Sequence, residues 1–140
     1  AGRDNLARVE INRILLSNAA PVLKERARLL IDYLNEPDFV SFRDNFDYRD
    51  VAEDPPLYNG AYVRWKGRVA NLNSTETRIT FDLLVGYHDG TVLEGVVPAY
   101  IQFAILLDND SPVEVIAQID APPQGGMRLR VKSLRRIDND

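Results

Sequence analysis

The chain has 140 residues, of which 45% are aliphatic or aromatic and 27% are charged, and its formal net charge at pH 7 is −4. This balance predicts a packed core in one ordinary domain, or in a small domain with an appendage. The acidic net charge disfavours long-range attraction to nucleic acid. No apolar run reaches about 18 residues, so the sequence predicts no membrane span, and it shows no signal-peptide pattern.

The residue types exclude several kinds of chemistry. Without cysteine there is no disulfide, thiolate nucleophile or cysteine-type zinc site. With His88 as the one histidine, paired-histidine metal motifs are absent, and "GYHDGT" predicts that His88 is an exposed turn residue. No G-x-S-x-G, P-loop or G-x-G-x-x-G motif occurs. The prediction is a protein that is not an enzyme and uses no cofactor or metal, with a hydrolase as the weakest class.

The sequence opens with "AGRDNL" and has no initiating Met, which predicts a processed chain or a piece of a longer protein. The sequence is compatible with a location in the cytoplasm or in the bacterial cell envelope and does not decide between them. The oligomeric state is left open as well.

The first third of the sequence has helical periodicity. "DNLARVEINRILLSNA" has apolar residues at helical spacing, with Asp4 as the expected N-cap. "APVLKERARLLIDYLNEP" has Pro21 in its first turn, and Asn35 followed by Pro37 is expected to end it. Because the connection between the segments is short, they are predicted to form an antiparallel helix pair over residues 1–36.

Residues 37–60 form a segment of different composition, in which aromatic residues are spread among acids and prolines. The aromatic residues are Phe39, Phe42, Phe46, Tyr48 and Tyr58. Such rings are expected to be buried, since each removes about 150–250 Å² from water. We predict an ordered strap, with a helical turn in "DFVSFRDNF", that joins the helix pair to the rest of the chain.

From residue 61 the apolar period changes from that of a helix to that of a strand. The predicted strands cover residues 61–72, 78–87, 91–100, 112–119 and 127–134. The Asp-Gly of "HDG" predicts a hairpin turn between the second and third strands. Residues 101–110 are apolar enough for a helix or a short strand, and their period does not decide between the two.

The apolar pattern of the first strand returns fifty positions later. The two matching runs are Val63-x-Trp65-x-Gly67-x-Val69 and Val113-x-Val115-x-Ala117-x-Ile119. In both runs the third residue is small, which suits a strand that must bend to serve two sheets. We therefore predict that Trp65 points into the core and that the alternating residues face outward.

These runs resemble the first and fourth strands of the OB fold, a small five-stranded barrel. The resemblance covers about residues 58–137, and an SH3-like barrel stays open as the alternative. It implies an α+β fold: the helix pair, the strap, and a C-terminal five-stranded OB-like antiparallel β-barrel over residues 61–137. It implies fold far more than function.

The helix pair resembles, more faintly, the last helices of a tetratricopeptide-type helical-repeat array. The motif residues of that repeat are absent, and no 34-residue period fits so short a segment. The resemblance implies that this chain is the C-terminal part of a longer scaffold protein.

The candidate ligand face consists of cations and one aromatic ring on strands one and five: Tyr62, Arg64, Lys66, Arg68, Arg128 and Arg130. In OB folds that bind single strands, cations follow the phosphates and rings stack on bases. The opposing interpretation pairs the first-strand cations with Glu114 or Asp82 on a solvated face. Strands two and three, where such proteins usually place their platform, are expected to show Asp82 and Glu94 outward and no aromatic residue.

The main prediction is a non-enzymatic binding or assembly module that makes protein–protein contacts through the helix pair and the strap. The alternative is an OB-type domain that binds single-stranded nucleic acid through the basic faces of strands one and five. A protein partner is expected, and nucleic acid is the less favoured partner because of the acidic net charge.

Overall fold

A computed structural model describes residues 3–137 of the chain. It contains α1 (Asp4–Leu16), α2 (Pro21–Ile31), α3 (Tyr48–Glu53), a 3-10 helix (Pro55–Tyr58), β1 (Tyr62–Ser74), β2 (Ile79–Val85), β3 (Gly95–Ile101), β4 (Pro112–Asp120) and β5 (Arg128–Arg136). No helix in this range is long and apolar enough to cross a membrane.

The five strands close into one barrel in the order β1-β2-β3-β5-β4, with β4 pairing back onto β1. Neighbouring strands are antiparallel except β3 and β5, which are parallel. An odd number of strands cannot alternate in direction around a closed ring, so one seam has to be parallel. The α+β fold with an OB-like barrel is confirmed, and the all-antiparallel description is corrected at this seam.

The barrel core is built from the two echoing runs of β1 and β4. Val63, Val69, Val113 and Val115 are fully buried, and Trp65 is only 5% exposed. The predicted inward orientation of these residues is confirmed. Gly67, the small residue of the first run, is required for steric reasons. A Cβ at this position would overlap the carbonyl oxygen of Leu84 on the next strand.

The first half of β1 has a free edge, because β2 pairs with β1 only from Gly67 onward. Two asparagine side chains occupy this edge and act as a neighbouring strand would. Asn5 of α1 exchanges two hydrogen bonds of 2.6 Å with the backbone of Tyr62. Asn45 of the strap exchanges two, of 2.7 and 2.8 Å, with the backbone of Arg64. The bonds of Asn5 with Tyr62 are buried, and leaving a buried backbone group unpaired would cost about 1–3 kcal/mol.

The helix pair lies on the barrel mainly through α1. Val9 and Ile11 of α1 are buried, whereas Ala27 is the only buried residue of α2 within the described part of the chain. The expected N-cap, Asp4, is instead the first helical residue. Its carboxylate accepts a hydrogen bond of 2.8 Å from the Asn35 N–H, so it ties the start of α1 to the chain beyond α2.

The strap is ordered and contains α3 and the 3-10 helix. Its predicted helical turn is present, since the Phe42 N–H donates to the Asp38 carbonyl at 3.0 Å. The Trp65 indole N–H donates to the Phe46 carbonyl at 2.8 Å, and the Tyr48 ring meets the Trp65 ring edge-on at 5.5 Å. The strap is therefore fastened to the largest side chain of the barrel.

Two connections differ from the sequence-based expectation. Residues 86–94 form a wider loop than a two-residue turn, and β3 begins at Gly95, where a Cβ would overlap the Tyr48 ring. His88 lies in this loop and is half-buried rather than exposed. The segment after β3 is neither helix nor strand from residue 102 to 111, and it places Leu107 in the core.

Candidate functional site

The six predicted ligand residues do not share one surface. Tyr62 is 5% exposed, because Phe42 of the strap and Ile116 of β4 pack against its ring. The Arg8 guanidinium lies 5.0 Å from the ring centroid, and burial raises the pKa of the Tyr62 hydroxyl. Tyr62 is therefore covered by the strap and α1, and its ring has no free face for a base.

Arg64 belongs to a charge cluster under the strap. Its Nε donates to Glu114 at 3.0 Å and its Nη1 donates to the Phe39 carbonyl at 3.1 Å. The Nε of Arg135 donates to the same carboxylate at 2.7 Å, and the two guanidiniums lie 5.2 and 4.4 Å from the Phe39 ring. The expected pairing of Arg64 with Glu114 is confirmed.

Glu114 is 5% exposed. Burial by itself would raise the pKa of its carboxyl group, but the hydrogen bonds from Arg64 and Arg135 outweigh burial and hold that pKa below its usual range. Glu114 is therefore ionised in the folded protein at neutral pH, and it neutralises cations that the sequence alone presents as a basic row.

Lys66 and Arg68 lie further along β1. Lys66 is exposed, and the Arg68 guanidinium is 5.8 Å from the Tyr87 ring and donates from Nε to the His88 carbonyl at 3.4 Å. In residues 3–137 neither forms an ion pair with Glu114 or Asp82, so this part of the pairing prediction is wrong. These two cations lie beside the β2–β3 loop.

Arg128 and Arg130 lie on β5, which is separated from β1 by β4, and both are exposed. Arg128 pairs with Asp120 at 2.6 Å, and Arg130 donates to the Gln102 side chain at 3.1 Å. The neighbouring strand β3 brings Tyr100 alongside them, in register with Arg130.

The side chain of Tyr100 faces outward and lies beside two guanidiniums. Arg78, the last residue before β2, lies 4.6 Å from the Tyr100 ring centroid, and Arg128, the first residue of β5, lies 5.6 Å from it. Such cation–aromatic contacts hold a ring in place. The ring therefore stands near the β1–β2 and β4–β5 connections, with two guanidiniums close to it.

A cleft of about 250 Å³ opens beside this ring on the β2–β3 face. We call it the Tyr100 cleft; the residues that line it include Asn71, Arg78, Thr80, Asp82, Tyr100 and Arg128. It combines a flat aromatic surface, cations at its rim and a carboxylate. Such a site can stack a planar ring and pair with anionic groups.

The expectation that strands two and three have no outward aromatic residue is wrong. The buried residues of β3 are Val97, Ala99 and Ile101, so the alternation puts Tyr100 outside. The sequence "GVVPAYI" carries this period-two signal. Tyr100 has the same parity as Glu94, which the sequence analysis expects to face outward, so the same alternation predicts an outward Tyr100.

Among residues 3–137 no group of three or more histidine, cysteine, aspartate or glutamate side chains is arranged to hold a metal ion.

A family model described as the spirochaete C-terminal OB fold matches residues 40–135. The chain belongs to this family. The match begins inside the strap, so the spirochaete OB fold takes in the strap together with the barrel. A second model, a domain of unknown function (DUF8514), matches residues 1–31, which hold most of the helix pair. No curated protein matches the chain.

Solved structures similar to this spirochaete OB fold agree with the barrel. The aspartyl tRNA synthetase from Entamoeba histolytica is 11% identical with a TM-score of 0.51, over 73% of this chain and 23% of that one. An OBody bound to hen egg-white lysozyme is 14% identical with a TM-score of 0.50, over 70% of this chain and 99% of that one. A Replication Protein A heterotrimer bound to ssDNA is 18% identical with a TM-score of 0.44, over 56% of this chain and 58% of that one. At these identities the first two similarities show the fold alone, and the third, with a TM-score below 0.5, supports no conclusion.

Proposed function

We propose that the chain is a non-enzymatic binding module whose barrel holds single-stranded nucleic acid in the Tyr100 cleft. The observation that carries this proposal is the outward Tyr100 ring beside the guanidiniums of Arg78 and Arg128, at the edge of a cleft. Single-strand binders combine such a ring, on which a base stacks, with cations that follow the phosphates. The cleft also lies on the face formed by the second and third strands, which OB folds use for oligonucleotides.

The net charge of −4 does not oppose this assignment locally. At about 0.15 M salt, charges further apart than roughly 8 Å are largely screened, so the guanidiniums at the cleft govern what a phosphate meets there. The ion pair of Arg128 with Asp120 is exposed, at 53% and 35% of the two side chains. An exposed pair is weak, so a phosphate can replace the carboxylate at small cost.

Fluorescence anisotropy of a labelled oligothymidine of about twelve nucleotides, at low salt, tests the proposal. We expect a dissociation constant of about 1–100 µM that rises steeply with salt. Tyr100→Ala should weaken binding about tenfold or more, since stacking on an aromatic ring contributes about 1–3 kcal/mol per base.

Tyr87→Ala is the matched control. It removes a tyrosine that also lies beside a guanidinium, at 5.8 Å, but that does not line the Tyr100 cleft. Binding should be unchanged in this variant. Equal losses in the two variants, or no binding by the wild type at protein concentrations up to about 300 µM, would sink the proposal.

A second candidate function is protein binding through the helix pair, because the pair exposes large apolar side chains. These are Leu6, Leu16, Val22, Leu23, Leu29, Leu30 and Tyr33. The residues on α2 follow helical spacing, which fits a further helix as the partner. This supports the scaffold hypothesis, while the helical-repeat resemblance stays a prediction.

Sedimentation velocity over a range of concentrations, comparing wild type with a Leu29→Ser, Tyr33→Ser double variant, tests the version in which the partner helix comes from a second copy. Association that the double variant abolishes supports it. A monomer at every concentration would rule out the second copy.

A further inference from the structure

One group of the Tyr100 cleft is unsuited to a phosphate, and this is the carboxylate of Asp82. Asp82 lies on β2 opposite Pro98 of β3, two residues from Thr80, which is opposite Tyr100. These alternate residues share the outward face of the sheet. The Oδ2 of Asp82 accepts a hydrogen bond of 2.8 Å from the Asn71 side chain, the one hydrogen bond its side chain makes within residues 3–137.

Asn71 is held in an unusual position that points it at this carboxylate. Its φ is +53°, in the left-handed region, where the pairing of β1 with β2 is interrupted by a bulge. Bulges redirect side chains at the edge of a sheet. The Asn71 amide therefore orients the Asp82 carboxylate, which has about four lone-pair sites in all and can accept further hydrogen bonds.

The charges of the cleft divide it into two parts. The guanidiniums of Arg78 and Arg128 lie beside the Tyr100 ring and attract phosphates, whereas Asp82 repels them. A strand that stacks a base on Tyr100 therefore places its phosphates at the guanidiniums. Diagonal neighbours on adjacent strands are about 7–8 Å apart, so the edge of the stacked base reaches Asp82.

A carboxylate accepts hydrogen bonds and, when ionised, donates none. The base edge that faces it must therefore present N–H groups. Guanine has two adjacent donors on its Watson–Crick edge, N1–H and the N2 amino group, which match the two oxygens of a carboxylate. Each of the other bases presents a single donor group on that edge.

We propose that the Tyr100 cleft selects guanine, with Asp82 as the residue that determines the specificity and Asn71 as the residue that positions it. This inference rests on the proposed function and adds a base preference to it. Recognition of this kind targets unstacked bases in single strands, whose Watson–Crick edges are free.

The test compares three labelled oligonucleotides of about twelve nucleotides by anisotropy: oligothymidine, an alternating thymidine–deoxyguanosine strand, and the same alternating strand with deoxyinosine in place of deoxyguanosine. Deoxyinosine keeps N1–H and lacks the N2 amino group. We expect the guanine strand to bind about tenfold more tightly than oligothymidine, and the inosine strand to lose most of that advantage. Replacing guanine by 7-deazaguanine leaves the Watson–Crick edge intact, so the affinity of the alternating strand should be unchanged.

Asp82→Asn should reduce the ratio of guanine to thymidine affinity to about one, because a neutral amide offers a single acceptor oxygen. Asp50→Asn removes the same charge from an exposed position on α3 that does not line the cleft, and it should keep the preference. Thermal unfolding of both variants checks that the barrel is intact.

The two proposals fail in different ways. Equal binding of all three strands, or a guanine preference that survives Asp82→Asn, overturns the inference and leaves the proposed function standing. No binding of any strand overturns the proposed function, and the inference with it.

Discussion

The barrel has two outward faces that look alike locally and differ in availability. The covered face lies on β1 and β4, where the Tyr62 ring is 5.0 Å from the Arg8 guanidinium. The open face lies on β2 and β3 and includes the adjoining β4–β5 connection with its Arg128–Asp120 ion pair; on it the Tyr100 ring is 4.6 Å from the Arg78 guanidinium. The strap and α1 bury Tyr62 and leave Tyr100 beside a cleft. A tyrosine next to a cation therefore indicates a binding surface only where no other part of the chain lies over it.

The ion pairs of the two faces differ in the same way. Arg64 and Glu114 of the covered face are 25% and 7% exposed at their side chains, whereas Arg128 and Asp120 of the open face are 53% and 35% exposed. A buried carboxylate with two guanidiniums holds the fold together, and breaking such a pair is costly. An exposed pair contributes little and can exchange partners. The difference can be tested by matched substitutions on the two faces.

The largest effect is expected where the covered face is fastened to the core. Trp65→Ala should lower the free energy of unfolding by about 3–5 kcal/mol, because it empties the centre of the barrel and removes the indole bond to the strap. Urea denaturation measures the loss. Tyr100→Ala, the removal of a ring from the open face, is the control and should cost less than about 1 kcal/mol. A loss below about 1 kcal/mol for Trp65→Ala would contradict the core position of the ring.

A smaller effect is expected for the charge cluster under the strap. Glu114→Gln should lower the free energy of unfolding by about 2–3 kcal/mol at neutral pH, because it leaves Arg64 and Arg135 without their counter-charge. Asp120→Asn, the matched change on the open face, should stay within about 1 kcal/mol of wild type. Equal losses of unfolding free energy in the two variants would show that the ion pairs of the two faces contribute equally to stability.

The same cluster predicts a pH dependence. Because the folded pKa of Glu114 lies below its usual range, its stabilising contribution is complete above about pH 4.3 and is lost as the pH falls through the lower folded value. The gap in unfolding free energy between wild type and Glu114→Gln should therefore narrow below about pH 4.3. A gap that stays constant or widens on acidification would contradict the depressed pKa.

The smallest effect is expected for single cations of the open face. Arg78→Gln, which removes a cation that lines the Tyr100 cleft, should weaken oligonucleotide binding about threefold and reduce the slope of log affinity against log salt by about 0.7, the value for one phosphate contact on a single strand. Lys66→Gln removes an exposed cation of β1 that does not line the Tyr100 cleft, and it should change neither quantity. If Lys66→Gln weakened oligonucleotide binding more than the cleft variant does, the binding site would lie on the first strand instead.

Much of the fold could be predicted from sequence because periodicity reports burial directly. The echo of Val63, Trp65 and Val69 in β4 identifies the inward side of two barrel strands, and each predicted member is buried. The limits of β3 were placed less well, because Val92 and Leu93 extend the apolar run although they lie exposed in the preceding loop. Periodicity therefore identifies strands better than it locates their ends.

The candidate site was harder to predict, because alternation separates inside from outside and does not reveal what covers the outside. Tyr62 and Arg64 alternate correctly with the buried valines, yet Phe42, Phe39 and Glu114 come from segments about 20 to 50 residues away to cover and neutralise them. Tyr100 has the parity of an outward residue, but parity does not show which cations lie beside it. Its partners Arg78 and Arg128 are separated from it by 22 and 28 residues in the chain.

The sequence by itself determined the order of helices, strap and strands and the inward side of the barrel, because these depend on local periodicity and on residue volume. Only the tertiary structure decided which outward face is open. That choice depends on how Asn5 and Asn45 dock α1 and the strap onto the free edge of β1, through backbone hydrogen bonds that any residue of a strand can make. Because these bonds leave no trace in the identities of Tyr62 and Arg64, their burial can be known only from the fold.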